Sequence, residues 1–195
     1  MVNIAVFASG TGSNARKIVE YFKGNPNIQV TIIVCNNAKA PVLQFAAETG
    51  IEQLVINKTY FYDSRAILED FKQRGIGFIV LAGFLWLVPD YLVKAYERRM
   101  LNIHPALLPR YGGKGMFGMH VHQAVKAASE KESGISIHYV NEFYDDGDIL
   151  FQKACILEPD DEPEDIARKV QQLEHQYYAP IIEQAILENQ SLLPN

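Results

Sequence analysis

Apolar residues fall into six short runs separated by stretches with helical spacing. The runs are residues 3–8 (NIAVFA), 28–35 (IQVTIIVC), 77–83 (GFIVLAG), 100–104 (MLNIH), 135–140 (ISIHYV) and 148–157 (DILFQKACIL). Their β-branched content and their Gly, Asn, Asp and Pro boundaries predict strands. Between them, residues 13–23 follow a glycine-rich turn, and 41–49 open at Pro41 and stop at Gly50. Residues 63–75 have Asp63 placed as an N-cap and Gly75 as a C-cap, and 89–99 begin with Pro89. Segments 119–129 and 163–187 complete the helices. Strand–helix alternation predicts an α/β fold, a mostly parallel sheet with helices on both faces. The last two strands are joined by NEFYDDG, too short for a helical crossover, so they should pair antiparallel and make the sheet mixed. No repeat, low-complexity stretch or linker interrupts the pattern. A single domain over 1–195 is expected, with 189–195 (NQSLLPN) as a loose tail.

Composition narrows the function classes. Apolar residues make up 48% of the chain and charged ones 21%, which is ordinary globular usage. The formal charge is −5, and basic residues are scattered, with Arg98-Arg99 the tightest pair. A nucleic-acid binder would carry a basic stripe, so small molecules are the expected partners and any anion must be held by local donors. No apolar run reaches the roughly 20 residues that span a bilayer, and Met1-Val2-Asn3 shows no secretory pattern. Cys35 and Cys155 lie in separate apolar runs, which fits buried reduced thiols in a cytoplasmic protein.

The first candidate chemistry is the loop ASGTGSNA (8–15), where Gly10-Thr11-Gly12-Ser13-Asn14-Ala15 matches G-x-G-x-x-G/A. Glycines let a backbone approach an anion, and the helix that follows offers free N–H groups and a partial positive charge. A dinucleotide site would also place a carboxylate after the second strand, about 20 residues on. This chain has Cys35-Asn36-Asn37 there, so one phosphate, held with help from Ser13 and Asn14, fits better. A tight turn without a ligand is the alternative. The Gly-Lys-Ser/Thr of a P-loop is missing.

The second is NIHPALLPRY (102–111). Strand alternation points Asn102 and His104 the same way and turns Ile103 inward. An amide can hold a developing oxyanion, and an imidazole changes charge near neutral pH. Pro105 and Pro109 stiffen the exit. The third is the turn holding Asp145, Asp146 and Asp148. It could be a solvated hairpin or a cation site, although no EF-hand spacing is present. A carboxylate reaching His104 across a cleft would stabilise the imidazolium form and suit proton transfer.

Several segments then occur in a telling order: FASGTGSN, LAGFLWLV (81–88), LNIHPALLPRY (101–111), GISIHYV (134–140), DDGDILFQ (145–152) and QLEHQYYAP (172–180). Over nearly its whole length the chain resembles the 10-formyltetrahydrofolate-dependent formyltransferases, and among them the phosphoribosylglycinamide branch of purine biosynthesis. The Asn-x-His-Pro and Asp-x-Gly-x-Ile patterns belong to the wider family. The Ser-Gly-x-Gly-Ser-Asn start belongs to the branch whose substrate carries a 5′-phosphate. The resemblance implies a Rossmann-like formyltransferase fold, 10-formyltetrahydrofolate as co-substrate, no metal, and a monomer or homodimer. It implies Asn102, His104 and Asp145 as the catalytic trio, and Gly12, Ser13 and Asn14 as the phosphate loop. It further implies that Gln171 and Glu174 meet the ribose, that Arg65 meets the folate's glutamyl end, and that the backbone of Leu85, Trp86, Leu87 and Val88, together with Asn102, receives the folate. Three features depart from the family: GGKGMFGM (112–119) is longer than the usual YPGLH, Trp86 stands where a basic residue often occurs, and Asp146 replaces a frequent Gly.

The remaining candidates are weaker. His120 and His122 (MHVH) lack the Cys or Glu partners of a metal site and should flank the flap at 112–119. His138 is expected either to support Asp145 or to be a buried, hydrogen-bonded histidine. His175 is expected to be structural, and Tyr60, Phe61, Tyr62, Tyr177 and Tyr178 to pack. Two other readings share parts of the pattern: a formyltransferase with another acceptor, such as methionyl-tRNA or a nucleotide sugar, and a dinucleotide-binding module without transfer chemistry.

Overall fold

The computed structural model describes residues 1–189; the tail from residue 190 on lies outside the described residues. Seven strands form one sheet: β1 Val2–Phe7, β2 Ile28–Cys35, β3 Glu52–Val55, β4 Ile76–Leu81, β5 Met100–His104, β6 Glu132–Tyr139 and β7 Ile149–Ile156. The strand order is β3-β2-β1-β4-β5-β6-β7. β1 to β5 are mutually parallel, β6 runs antiparallel to β5, and β7 antiparallel to β6. The expected α/β mixed sheet is therefore present. The helices are α1 Ser13–Phe22, α2 Pro41–Thr49, α3 Ala66–Gln73, α4 Asp90–Ala95, α5 Met119–Ala127 and α6 Pro163–Glu188.

Alternation along the central strands builds a core on each face. Ile4 and Val6 join Ile33, Val80 and Leu101 under α1, α2 and α6. Ala5 and Phe7 point the other way and join Ile32, Ile79, Phe61, Phe71 and Leu92 under α3 and α4. β4 is buried at every position, as a parallel strand covered on both faces must be. Strand order reverses between β1 and β4. At such a switch point the connections leave in opposite directions, so a crevice opens at the carboxyl ends of the strands.

Three local features differ from the sequence expectation. β3 is a short edge strand whose sequence, EQLV, holds too few apolar residues to signal one, and it is largely exposed. Asp63 does not cap α3: it ends a π-helical turn over Thr59–Asp63, and α3 starts at Ala66 with Arg65 at its N-cap in the left-handed region (φ 54°). α4 is shorter than the span 89–99: Tyr96 leaves the helical region at its C-cap (φ −118°), and Arg98 follows with a positive φ of 53°. α6 begins as its sequence suggests. Glu162 and Asp165 form a reciprocal capping box, with Pro163 in the first turn.

Gly134 lies inside β6, where a Cβ would run into the Lys153 carbonyl oxygen and Ala154 of β7. Gly134→Ala should push the β6–β7 pair apart and lower stability by about 1–3 kcal/mol. Thermal unfolding checks this; an unchanged midpoint would mean that the hairpin is looser than it stands.

Candidate functional site

The crevice is a cavity of about 730 Å³. The loop after β1, the loop after β4, the end of β5, the flap at 112–119, the acidic turn and one face of α6 line it. The first loop is held open by its glycines. Gly12 has φ 73°, and a Cβ there would strike the Val42 side chain. No side chain caps α1 and no acidic residue sits in its first turn, and Gly12, Ser13 and Asn14 at this uncapped end line the cavity. Ser9 Oγ accepts the Leu85 amide at 3.0 Å and ties this loop to the one after β4.

α6 closes the same end. Asn14 Nδ2 donates to Glu174 Oε2 at 3.0 Å, while Asn14 Oδ1 is buried without a partner. Burial pushes the Glu174 carboxyl up, against the opposing pull of the Asn14 hydrogen bond and the charge of His104. Tyr178 is fully buried, and its hydroxyl donates to the carbonyls of Leu81 and Leu101, which fixes α6 against the ends of β4 and β5.

β5 carries Asn102 and His104 as strand neighbours on one face, and the acidic turn brings Asp145 to them. Asn102 Nδ2 lies 3.2 Å from Asp145 Oδ1 and 3.1 Å from His138 Nε2. His138 Nδ1 sits 2.9 Å from the Tyr139 carbonyl, so it carries the proton and Nε2 accepts from Asn102. His138 thus supports Asn102, its direct partner across the β5–β6 pair, more than Asp145, which is 3.7 Å away. His104 is only 3% exposed. Its Nε2 donates to the Tyr111 carbonyl at 2.8 Å, which fixes the ring and turns Nδ1 toward Asp145 Oδ2 at 3.4 Å.

Asp145 occupies a strained position, with φ 53°. Its Oδ2 also accepts the Gly113 amide at 3.0 Å. Burial alone would raise its carboxyl. Hydrogen bonding to His104, the positive charge on His104 and the Gly113 amide outweigh that and hold it well below the usual carboxylate range.

Side chains from distant segments support this centre. Ser136 Oγ donates to the Ala106 carbonyl and accepts from the Leu108 amide and Gln152, clamping the proline-rich exit of β5. Tyr111 is anchored through its hydroxyl to Glu130 at 2.6 Å. The backbone groups of Tyr111 and Gly113 and the Ser136 clamp were not foreseen from sequence.

Gly12, Ser13, Asn14, Leu85, Asn102, His104, Asp145, Gln171 and Glu174 all line the one cavity. Arg65, Trp86, Leu87 and Val88 do not. The Arg65 guanidinium lies over the Tyr91 ring at 5.5 Å. Trp86 packs with Phe61, Tyr62 and Phe84. Val88 is buried, and the Leu87 carbonyl accepts from the Tyr62 hydroxyl. Phe61, Tyr62, Phe84 and Trp86 form an aromatic cluster, of which Phe84 lines the cavity. His122 also lines the cavity, whereas His120 bonds to the Gly115 carbonyl of the flap. His175 is half-buried on α6. Among the described residues no group of three or more His, Cys, Asp or Glu could hold a metal ion, and no helix is long and apolar enough to cross a membrane. Both cysteines are free, and burial pushes both thiols up.

The formyl transferase family pattern matches residues 2–182. The chain belongs to the formyl transferase family. A Bacillus subtilis family member, phosphoribosylglycinamide formyltransferase, is 35% identical over 193 residues, covering 95% of each chain. The chloroplastic phosphoribosylglycinamide formyltransferase of Arabidopsis thaliana is 41% identical over 185 residues, 92% of this chain; the match spans 63% of the plant protein's length. Among solved structures, glycinamide ribonucleotide transformylase 1 from Geobacillus kaustophilus superposes with a TM-score of 0.85 at 32% identity, covering 94% of this chain and 98% of that one.

Because the folded environment lowers the Asp145 carboxyl, ionised Asp145 stabilises the native state above its unfolded value near about 4, and that contribution is lost as pH falls toward its lower folded value. Wild type should therefore exceed Asp145→Asn in stability by a constant margin from about pH 7 to 5 and by a shrinking one below about pH 4. Denaturant unfolding across this range tests it; a margin independent of pH would show that Asp145 is not held ionised.

Proposed function

We propose that this chain, working as one domain over residues 1–195, transfers the formyl group of 10-formyltetrahydrofolate to the amine of N1-(5-phospho-ribosyl)glycinamide in de novo purine synthesis. The single observation that carries this reading is that one cavity holds an amide, an imidazole and an ionised carboxylate within hydrogen-bonding reach, with an uncapped glycine-loop helix at its other end. A phosphorylated amine and an acyl carbon need both ends. The reading fits relatives such as the Bacillus subtilis phosphoribosylglycinamide formyltransferase, 95% of whose length this chain covers. Its partners are the two small molecules, without nucleic acid or membrane, and its expected setting is the cytoplasm, as a monomer or homodimer.

The α1 N-terminus with Gly12, Ser13 and Asn14 takes the phosphate, and Gln171 and Glu174 take the ribose hydroxyls. Glu174, whose carboxyl burial pushes up and which already accepts from Asn14, lines the cavity with carboxylate oxygens able to accept from ribose hydroxyls. The folate lies toward Leu85 and the 85–88 backbone, with Arg65 near its anionic tail. A cavity of this volume is in the range that accepts ligands of this size. The folate supplies an acyl carbon for direct attack.

The residues of the chain do the rest. As the amine adds, charge grows on the formyl oxygen. Asn102 Nδ2 and protonated His104 Nδ1 are the donors that meet it, each worth about 3 kcal/mol. At 3.4 Å the contact between His104 Nδ1 and Asp145 is long enough that, with the ring held in place by Tyr111, a substrate oxygen lying beside it can share the same Nδ1–H. Asp145 keeps the imidazolium charged and the ring aligned. The Tyr111 carbonyl holds the far side of that ring, and His138 holds Asn102. Placing two substrates in one cleft supplies much of the remaining rate. No covalent intermediate is required, and neither cysteine lies in the cavity.

His104→Ala should lower kcat by about 100-fold or more in a protein that still folds, with a lower thermal midpoint because buried Asp145 loses a partner. An absorbance assay of folate deformylation, run with and without glycinamide ribonucleotide, measures it; near-normal turnover would end the assignment. Ser13→Ala with Asn14→Ala should raise KM for the ribonucleotide by about tenfold or more and leave that for the folate within twofold. A loss on the folate side instead would mean that the loop has been given to the wrong substrate.

A further inference from the structure

Tyr111 holds the His104 ring from a backbone conformation that its own side chain disfavours. Its φ is 59°, in the left-handed region where a Cβ crowds the following carbonyl. Such a residue persists only where its surroundings over-determine it. In that conformation its carbonyl meets His104 Nε2 at 2.8 Å. Two residues on, the Gly113 amide donates to Asp145 Oδ2 at 3.0 Å. Gly112 between them is packed so closely that a Cβ would strike the Leu108 side chain and crowd the Asp145 Cβ. The turn 111–113 therefore supplies main-chain partners to both His104 and Asp145.

Glu130 grips this turn from outside. The Tyr111 hydroxyl donates to Glu130 Oε1 at 2.6 Å. Arg110 forks onto the same carboxylate, and its guanidinium lies 5.3 Å from the Tyr111 ring centre. The Glu130 side chain is only 16% exposed, against 64% for Arg110. The end of α5 places Glu130 in turn. Ser129 takes φ 54°, its N–H bonds the Lys126 carbonyl, and the Glu130 N–H bonds the Val125 carbonyl, which is a Schellman arrangement. The chain thus runs from Tyr111 through the flap and α5 and returns to its starting point, where the Tyr111–Glu130 bond closes the loop. Both residues line a separate cavity of about 200 Å³ rather than the reaction cavity, so any influence of Glu130 on a substrate passes through Tyr111.

We propose that Glu130 is a positioning residue for formyl transfer: through the Tyr111 hydroxyl it keeps the turn 111–113 in the conformation that holds His104 and Asp145. This rests on the formyl-transfer reading above. Without the bond, Tyr111 relaxes out of the left-handed region and its carbonyl swings away from His104. The ring then loses the contact that aims Nδ1 at the substrate oxygen. The glycine loop and α6 are untouched, so the loss falls on kcat and not on KM.

The test pairs kinetics with a spectroscopic readout. Wild type must first transfer formyl to glycinamide ribonucleotide; if it does not, the reaction reading falls, and the NMR signal below still decides whether Glu130 fixes His104. Tyr111→Phe removes the hydroxyl and Glu130→Ala its acceptor. Each should lower kcat about tenfold with both KM values within about threefold, and the double variant should be no slower than the worse single one. Glu130→Gln keeps an acceptor oxygen while giving up the charge opposite Arg110, and should turn over within about threefold of wild type. In wild type the His104 Nε2 proton, held by the Tyr111 carbonyl, should give a slowly exchanging NMR signal. Tyr111→Phe and Glu130→Ala should lose that signal to exchange, and Glu130→Gln should keep it. Unchanged kcat in Tyr111→Phe, a loss carried by KM, losses that multiply in the double variant, a Glu130→Gln as slow as Glu130→Ala, or an unmoved signal would overturn the proposal. Tyr111→Phe deletes a single oxygen, so it decides the matter if Glu130→Ala does not fold.

Discussion

The site depends on one carboxylate kept ionised inside the protein. Asp145 is largely removed from water, and a buried charge persists only when donors surround it. Here they come from three directions: His104 and Asn102 on β5, and the Gly113 amide on the flap. Each donor is in turn fixed by something else. Asn102 is held by His138, His104 by the Tyr111 carbonyl, and Asp145 by a left-handed backbone that the β6–β7 turn imposes. Gly147 belongs to the same turn, since a Cβ there would collide with the Tyr139 carbonyl. The hairpin, the flap and the strand therefore form a single electrostatic unit.

The fold explains why these pieces meet. Reversal of strand order between β1 and β4 opens a crevice at the carboxyl ends. The glycine loop leaves β1 on one side of it, and β5 delivers its polar pair on the other. The turn of β6 back against β5 then carries the acidic loop over that pair. α6 seals the far wall through the Tyr178 hydroxyl. The two ends of the cavity thus differ in character: a glycine loop and an uncapped helix start at one, an amide, an imidazole and a carboxylate in contact at the other.

Much of this was legible in the sequence, and the exceptions have physical causes. Six strands carried enough apolar signal to be read; β3 did not, because an exposed edge needs little burial. Asp63 looked like a cap, but the chain first spends five residues in a π turn, and Arg65 takes the left-handed position instead. Alternation along MLNIH was enough to pair Asn102 with His104. Spacing did not single out Asp145 from Asp146 and Asp148; the family resemblance did, and the structure places Asp145 beside the pair. The Tyr111 carbonyl and Gly113 amide were invisible because main-chain groups leave no trace in residue identity. Arg65 and Trp86 sit outside the cavity walls, so that part of the sequence reading rests on resemblance alone.

Because Asn102, His104 and Asp145 share hydrogen bonds, their contributions to turnover should not add. A double-mutant cycle on kcat/KM for formyl transfer, using His104→Ala, Asp145→Asn and the double variant, tests this directly. The double variant should be about as impaired as the worse single one, since either change already dismantles the unit. Losses that multiply would show that the imidazole and the carboxylate act independently, and would contradict the coupled centre described above.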